Sequence, residues 1–164
     1  MSNTEKNLKE AFAGESQANM KYLVFAKKAE EDGLLQVAKL FRAAAEAETV
    51  HAHAHLRELG GIKSTKENLE AAINGESYEF QSMYPQMIKE AETEGNNGAL
   101  RSFRYANEVE KIHAELYRKA REELDKMASV DYYVCQVCGN TVESEAPDQC
   151  PICGAKKEAF KKID

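Results

Sequence analysis

The stretch Phe41–Ala52, FRAAAEAETVHA, returns later in the chain as Phe103–Ala114, FRYANEVEKIHA. Working outward, Asn7, Leu8, Ala11, Gly14, Glu15 and Ser16 return as Asn68, Leu69, Ala72, Gly75, Glu76 and Ser77. Helical composition repeats alanine and glutamate by chance, but not Gly-Glu-Ser together with a Phe-Arg…Glu…His string in register. The chain from about Asn3 to Met127 therefore reads as a duplication, two helical hairpins related by an approximate two-fold axis.

That region is rich in Ala, Glu, Lys, Leu and Met, with Pro85 as its one proline, which predicts helix almost throughout. Turn compositions at Asp32-Gly33, Gly60-Gly61 and Gly95–Gly98 divide it into four helices, roughly 3–31, 34–59, 65–94 and 97–127. Ser64-Thr65-Lys66-Glu67 has capping-box spacing at the start of the third, and Pro85 predicts a kink within it. After Met127 the composition turns to Gly, Pro and Cys. The expected architecture is an all-α four-helix domain over 1–128 and a small metal-binding domain over 129–164, with Ala128–Tyr133 as the linker between them. About 30 residues cannot bury a sufficient core alone, so this tail needs a metal staple.

Each hairpin offers one glutamate from its first helix and a Glu-x-x-His from its second: Glu15 with Glu48 and His51, Glu76 with Glu110 and His113. The i, i+3 spacing places Glu and His on one helical face. Four helices delivering Glu, Glu-x-x-His, Glu, Glu-x-x-His to one interior make a binuclear carboxylate site suited to iron or manganese. A single Glu-x-x-His is a weak signal; two in register, each matched to Gly-Glu-Ser, are not. Glu79 breaks the symmetry: it lies three residues after Glu76 on the same face, where the first hairpin has Ala18. The repeated Arg42/Glu46 and Arg104/Glu108 are expected to be structural i, i+4 ion pairs. His55 has Tyr117 as its counterpart and is expected in the core or behind the ligands, with His53 exposed.

All four cysteines fall in two Cys-x-x-Cys pairs, Cys135/Cys138 and Cys150/Cys153, each followed by glycine. Clustered this way they favour metal ligation over disulfides. Cys-Gly suits a tight turn whose backbone donors point at the sulfurs, and four such thiolates accept either zinc or one iron. Beside a binuclear redox site iron gains weight, because electrons need a way in and zinc has no redox chemistry. Tyr132, Tyr133 and Phe160 are expected to be the small aromatic core of the tail.

At 164 residues, 30% charged and with a formal net charge of −6, the chain is an unpromising partner for nucleic acid or an anionic membrane. No apolar run approaches a membrane span, and the polar MSNTEKNLKE start has no secretory h-region, so a cytoplasmic location is expected.

Glu15, Glu48-x-x-His51, Glu76-x-x-Glu79 and Glu110-x-x-His113, followed by a four-cysteine tail, resemble a rubrerythrin over essentially the whole chain. The resemblance implies a ferritin-like di-iron bundle with a rubredoxin-like Fe(Cys)4 tail, and Glu79 is what separates that family from plain ferritins. It implies that Glu48 and Glu110 bridge the irons, oxo- or hydroxo-bridged when oxidised, with Glu15 terminal on one and Glu76 and His113 on the other. The first iron would be held by Glu79 when oxidised and by His51 when reduced, and Tyr22 and Tyr84 would hydrogen-bond the ligands. The tail would hold one iron at Cys135, Cys138, Cys150 and Cys153, with zinc as a substitute.

The implied function is a peroxidase that reduces hydrogen peroxide to water in defence against oxidative stress, drawing electrons from rubredoxin or an NAD(P)H-dependent flavoprotein. The alternative is a ferroxidase or iron-handling protein using dioxygen, against which Glu79 and the tail both count. A structural protein with a zinc tail would be colourless and redox-silent. A length argument adds an assembly. Glu48 and Glu76 must reach the same level, which requires a connector of about 32 Å at about 1.5 Å of rise per residue, whereas Gly60–Ser64 spans about 17 Å fully extended. The expectation is a homodimer that exchanges hairpins.

Overall fold

The computed structural model describes residues 2–164, which form two compact units meeting at Lys63 and Ser64. The first is one hairpin, α1 (Asn3–Glu31) and α2 (Leu35–Glu58). Ser2 caps α1 by accepting the Glu5 N–H, and the turn between the helices closes at Gly33, whose φ of 75° suits a residue without a Cβ. The helices approach closely because alanines line the seam: Ala26, Ala29, Ala38, Ala45 and Ala52 are buried. Asn19 ties them together, its Nδ2 donating to the Ala45 carbonyl at 2.6 Å and to Thr49 Oγ1 at 2.7 Å.

The second unit begins with the expected capping box: Glu67 N–H donates to Ser64 Oγ, and the Glu67 carboxylate accepts from Ser64 N–H. The helix that follows is not continuous. It runs as α3 (Thr65–Tyr78), a π-helical segment (Glu79–Met83) and α4 (Tyr84–Glu94). Tyr84 N–H donates to the Glu79 carbonyl, five residues back, and Pro85 then sits in the first turn of α4. A π segment accommodates one extra residue, and the duplication shows where it enters. Before the segment, Glu15 corresponds to Glu76 and Ser16 to Ser77; after it, Tyr22 corresponds to Tyr84, so the repeat has lengthened by a single position. The bulge restores the face: Tyr22 packs on Phe41 with ring centroids 6.1 Å apart, and Tyr84 packs on Phe103 at 6.3 Å. The disruption expected of Pro85 thus takes the form of a one-residue bulge just before it.

Helix α5 (Asn97–Glu122) closes the second hairpin and stops five residues short of the expected Met127, because Leu124–Lys126 form a turn closed by Lys126 N–H donating to the Glu123 carbonyl. The arginines also differ from expectation. Arg42 pairs with Glu30 and Arg104 with Glu92 across each hairpin, while Glu108 takes Lys111. An arginine N-terminal to its glutamate is the weaker helical order. The cross-helix pairs, which occupy matching positions of the duplication, fasten α1 to α2 and α4 to α5.

The tail is a three-stranded antiparallel sheet, order β2-β1-β3, of β1 (Tyr132–Cys135), β2 (Thr141–Glu143) and β3 (Phe160–Ile163). Strand β1 takes in Tyr132 and Tyr133, so the linker is shorter than expected. These tyrosines and Phe160 are half-buried; the fully buried residues of the tail are Cys135, Asn140, Ala146 and Cys150. No helix among the described residues is long and apolar enough to cross a membrane.

Candidate metal centres

In the first unit Glu15, Glu48 and His51 bring one donor atom each to within 4.8 Å of one another. His51 Nδ1 lies 2.9 Å from the Oε2 of Glu48, one helical turn before it. In the second unit Glu76, Glu110 and His113 do the same. There His113 Nδ1 lies 2.8 Å from Glu110 Oε2 and 4.0 Å from Glu76 Oε2. The two triads occupy corresponding places in the duplication.

The electrostatics of the second triad are those of closely packed, partly buried carboxylates. Burial, then a hydrogen bond and repulsion from Glu110, with Glu79 adding to it, raise the Glu76 carboxyl from 4.5 to about 7. Glu79 stands outside the tight triad, but burial and the Glu110 charge push its carboxyl up too. The Tyr84 phenol is raised by burial and then by Glu110, Glu79 and Glu76, which places it in the field of all three carboxylates. Tyr22 forms a three-ring cluster with Phe25 and Phe41. His53 is exposed and His55 half-buried. A cluster of carboxylates that still holds a proton near neutral pH is one that a divalent cation stabilises, and Glu/His donors fit iron.

The four cysteines are free thiols whose sulfurs also lie within 4.8 Å of one another, Cys135 to Cys153 at 3.7 Å and Cys138 to Cys150 at 3.6 Å. Gly139 and Gly154 have φ of 84° and 75°, so each knuckle turns its following amides inward. Asn140 N–H points at Cys138, Ala155 N–H at Cys153, and Ile152 and Cys153 N–H at Cys150. Burial pushes the Cys150 thiol up, but those amides and the neighbouring thiols outweigh it and bring it down to about 7. Cys138 and Cys153 are pushed up, burial first. Asn140, almost fully buried, directs its Nδ2 at Cys150 Sγ, 3.7 Å away. A tetrad of thiolates with inward amides fits a single iron.

Sequence reasoning missed one contact of this centre. Thr141 in β2 hydrogen-bonds His113 Nε2 at 3.0 Å, so the tail reaches the second triad within its own unit. A hydroxyl beside a cysteine knuckle carries no spacing signal, and only the folded register reveals it.

Comparison with known proteins matches these features over nearly all the chain. The rubrerythrin family model covers residues 6–121, and the model of the rubrerythrin rubredoxin-like domain covers 133–161. Rubrerythrin-2 of Clostridium acetobutylicum is 36% identical, over 94% of this chain and 93% of that protein. Nigerythrin of Nitratidesulfovibrio vulgaris is 39% identical, over 96% and 85%. A solved structure described as the fully reduced, all-ferrous state of nigerythrin covers 99% of this chain and 88% of its own, at 35% identity and a TM-score of 0.61. The ferritin-like duplication and the four-cysteine tail, joined in one chain, have these proteins as their relatives: the chain belongs to the rubrerythrin family.

Proposed function

We propose that this chain is a non-haem di-iron peroxidase that reduces hydrogen peroxide to water, in defence against oxidative stress, with electrons coming in through the four-cysteine iron. The observation that carries this reading is the joining of the four-cysteine centre to one triad of the binuclear centre in one compact unit: the helix bearing Glu110 and His113 is the helix on which the tail docks, through His113 and Thr141. Iron storage needs no such thiolate centre. Two ferrous ions held by the carboxylates and imidazoles would supply the two electrons that, with two protons, take one hydrogen peroxide to two waters.

The chain's own residues would divide the work as follows. Glu48 and Glu110 would be shared by the two irons, Glu15 would serve the first, and Glu76 and His113 would hold the second. Glu79 and His51 would be the alternative ligands of the first iron, one for each redox state. Glu79 suits an exchanging role, because it lies on the π segment, outside the triad yet within the field of Glu110. Tyr84 keeps its proton among three carboxylates and can donate it as a hydrogen bond; Tyr22 holds the matching place in the first hairpin. Rubredoxin or an NAD(P)H-dependent flavoprotein would reduce the tail.

The test is rapid mixing of anaerobically reduced, iron-loaded protein with stoichiometric peroxide, and separately with dioxygen, following the visible band of the oxidised four-cysteine iron. Fast return of colour with peroxide and slow return with dioxygen is the expected result. Faster oxidation by dioxygen would favour a ferroxidase, and no colour in either mix would mean a zinc tail and no electron path.

We also infer a homodimer in which α1 and α2 of one chain complete the bundle with α3, α4 and α5 of another. The Gly60–Ser64 connector is too short for both triads of one chain to share a bundle, and Met20, Val24, Leu35 and Leu40 on α1 and α2 are more than 60% exposed. Native mass spectrometry is expected to give a dimer of about 37 kDa, twice the 18.3 kDa chain. A monomer would sink this arrangement.

A further inference from the structure

The two imidazoles of the duplicated triads differ in what stands behind them. Each has Nδ1 facing the glutamate one turn earlier. On the far side of His51, Nε2 has no hydrogen-bond partner among the described residues, and the side chain is 54% exposed. Behind His113, which is 27% exposed, Nε2 meets Thr141 Oγ1 at 3.0 Å. Thr141 has one hydroxyl proton, and the Gly139 carbonyl accepts it at 3.1 Å. The oxygen is left to face His113 as an acceptor, so Nε2 carries the hydrogen and Nδ1 presents a lone pair to the carboxylates. A bare nitrogen opposite a carboxylate oxygen is repulsive until a cation lies between them, so this tautomer is the one suited to ligation.

The hydroxyl is in turn fixed by the docking of the tail. Gly139 packs against Val109 on α5, where an added Cβ would stand 3.7 Å from Val109 Cγ1. Further along the same helix, beyond His113 and Leu116, Lys119 Nζ donates to both carboxylate oxygens of Glu143, at 3.0 and 2.8 Å. Val109, His113, Leu116 and Ala120 make a stripe at helical spacing, and Thr141 meets it at its middle.

We propose that Thr141 is a positioning residue: through its hydroxyl the docked four-cysteine tail fixes the ring of His113 in the binuclear centre, an anchor that His51 does not have within its own chain. This rests on the reading of both triads as metal ligands. It supplies a physical reason for two histidines at equivalent positions of a duplication to behave differently. Of the two imidazoles, only His113 has such a tether within its own chain.

The test uses the full chain in two preparations, one labelled with ¹⁵N-histidine and loaded with Zn²⁺ in both centres for exchange, the other freed of metal and titrated with Co²⁺, which fills the four cysteines and then the bundle. In the wild type the His113 Nε2 hydrogen is expected to exchange at least tenfold more slowly than that of His51. Thr141→Val keeps the branched shape suited to a strand but removes the hydroxyl. It should abolish the protection and weaken Co²⁺ binding at the His113 position by about 10- to 100-fold. Thr141→Ser should restore both. The four-thiolate Co²⁺ band, unchanged throughout, reports that the tail is folded. Equal exchange at the two histidines of the wild type would overturn the proposal without recourse to any variant, as would unchanged exchange and affinity in Thr141→Val. Uptake of metal by the four cysteines alone would instead overturn the binuclear reading on which the proposal stands.

Discussion

Cys150→Ser is expected to unfold the tail from Tyr132 to Ile163 while leaving the hairpin of α1 and α2 intact. The sheet has strands of four, three and four residues, and of the four residues buried in the tail two are ligands, Cys135 and Cys150. The others are Ala146 and an asparagine that itself reaches toward Cys150. Its apolar burial is thus too small to offset the entropy of ordering some thirty residues, about 1 kcal/mol or more each. The deficit falls to the metal, and structural thiolate sites contribute on the order of 10 kcal/mol to small domains. Serine offers a harder, far less acidic oxygen where the structure supplies inward amides and neighbouring thiols to hold a thiolate. Amide exchange reads the outcome: the N–H groups of Cys135, Gly139 and Gly154, all bonded within the tail, should lose protection together. Two functional losses should follow and separate. On the proposed electron route, turnover driven by an external donor should stop once the thiolate centre is gone. Metal binding at the His113 position weakens by the same factor as in Thr141→Val, because the hydroxyl has left with the tail. A tail that stays protected would show that side-chain burial carries it, and would remove the metal from the stability argument.

Much of this architecture is legible in the sequence because a duplication tests itself. Gly-Glu-Ser and Glu-x-x-His, repeated in register, mark six of the donors, and the structure gathers them as two triads of corresponding residues. The lengthening of the repeat between Glu76 and Tyr84 is equally visible and encodes the π segment, since only an expelled residue lets both Tyr84 and Glu92 keep the faces held by Tyr22 and Glu30. Pro85 marks the same turn for a different reason. What the sequence conceals are contacts between elements. Arg42 has both Glu46 and Glu30 to choose from, and helix order alone does not reveal that Glu30 comes opposite across the hairpin. The bond from Thr141 to His113 joins a strand to a helix and depends on strand register and on docking against Val109, neither of which has a periodic signature.

Glu76→Gln is expected to stabilise the metal-free protein at neutral and alkaline pH and to weaken metal binding at the same time. The Glu76 carboxyl lies at about 7 in the fold against 4.5 in a solvated chain, with burial as the main cause and Glu110 next. Below about pH 4.5 it is protonated in both states and carries no penalty. As pH rises through 7 the folded state must accept the charge; the carboxyl is only partly buried and water screens it, so the cost is on the order of 1 kcal/mol, well below what the full value of about 1.36 kcal/mol per unit would give. The sign is therefore a loss of stability between pH 4.5 and about 7, which glutamine abolishes because it cannot ionise and its amide can donate to Glu110. Urea unfolding of protein whose tail keeps its metal while the bundle is metal-free, at about pH 5 and pH 8, measures this: the wild type should lose stability on the order of 1 kcal/mol between the two, and Glu76→Gln little of it. Loading the wild type with a divalent cation should close the gap and release close to one proton near pH 6, detectable by calorimetry in buffers of different ionisation enthalpy. The variant should release far less and bind the metal on the order of tenfold or more weakly. A wild type whose metal-free stability is flat across this range would mean that water reaches Glu76 freely and that the triad is not strained toward a cation. The two effects have opposite signs, and that opposition is diagnostic. A carboxylate kept for folding would destabilise when removed, whereas one that costs stability until a metal arrives is held in place for the metal.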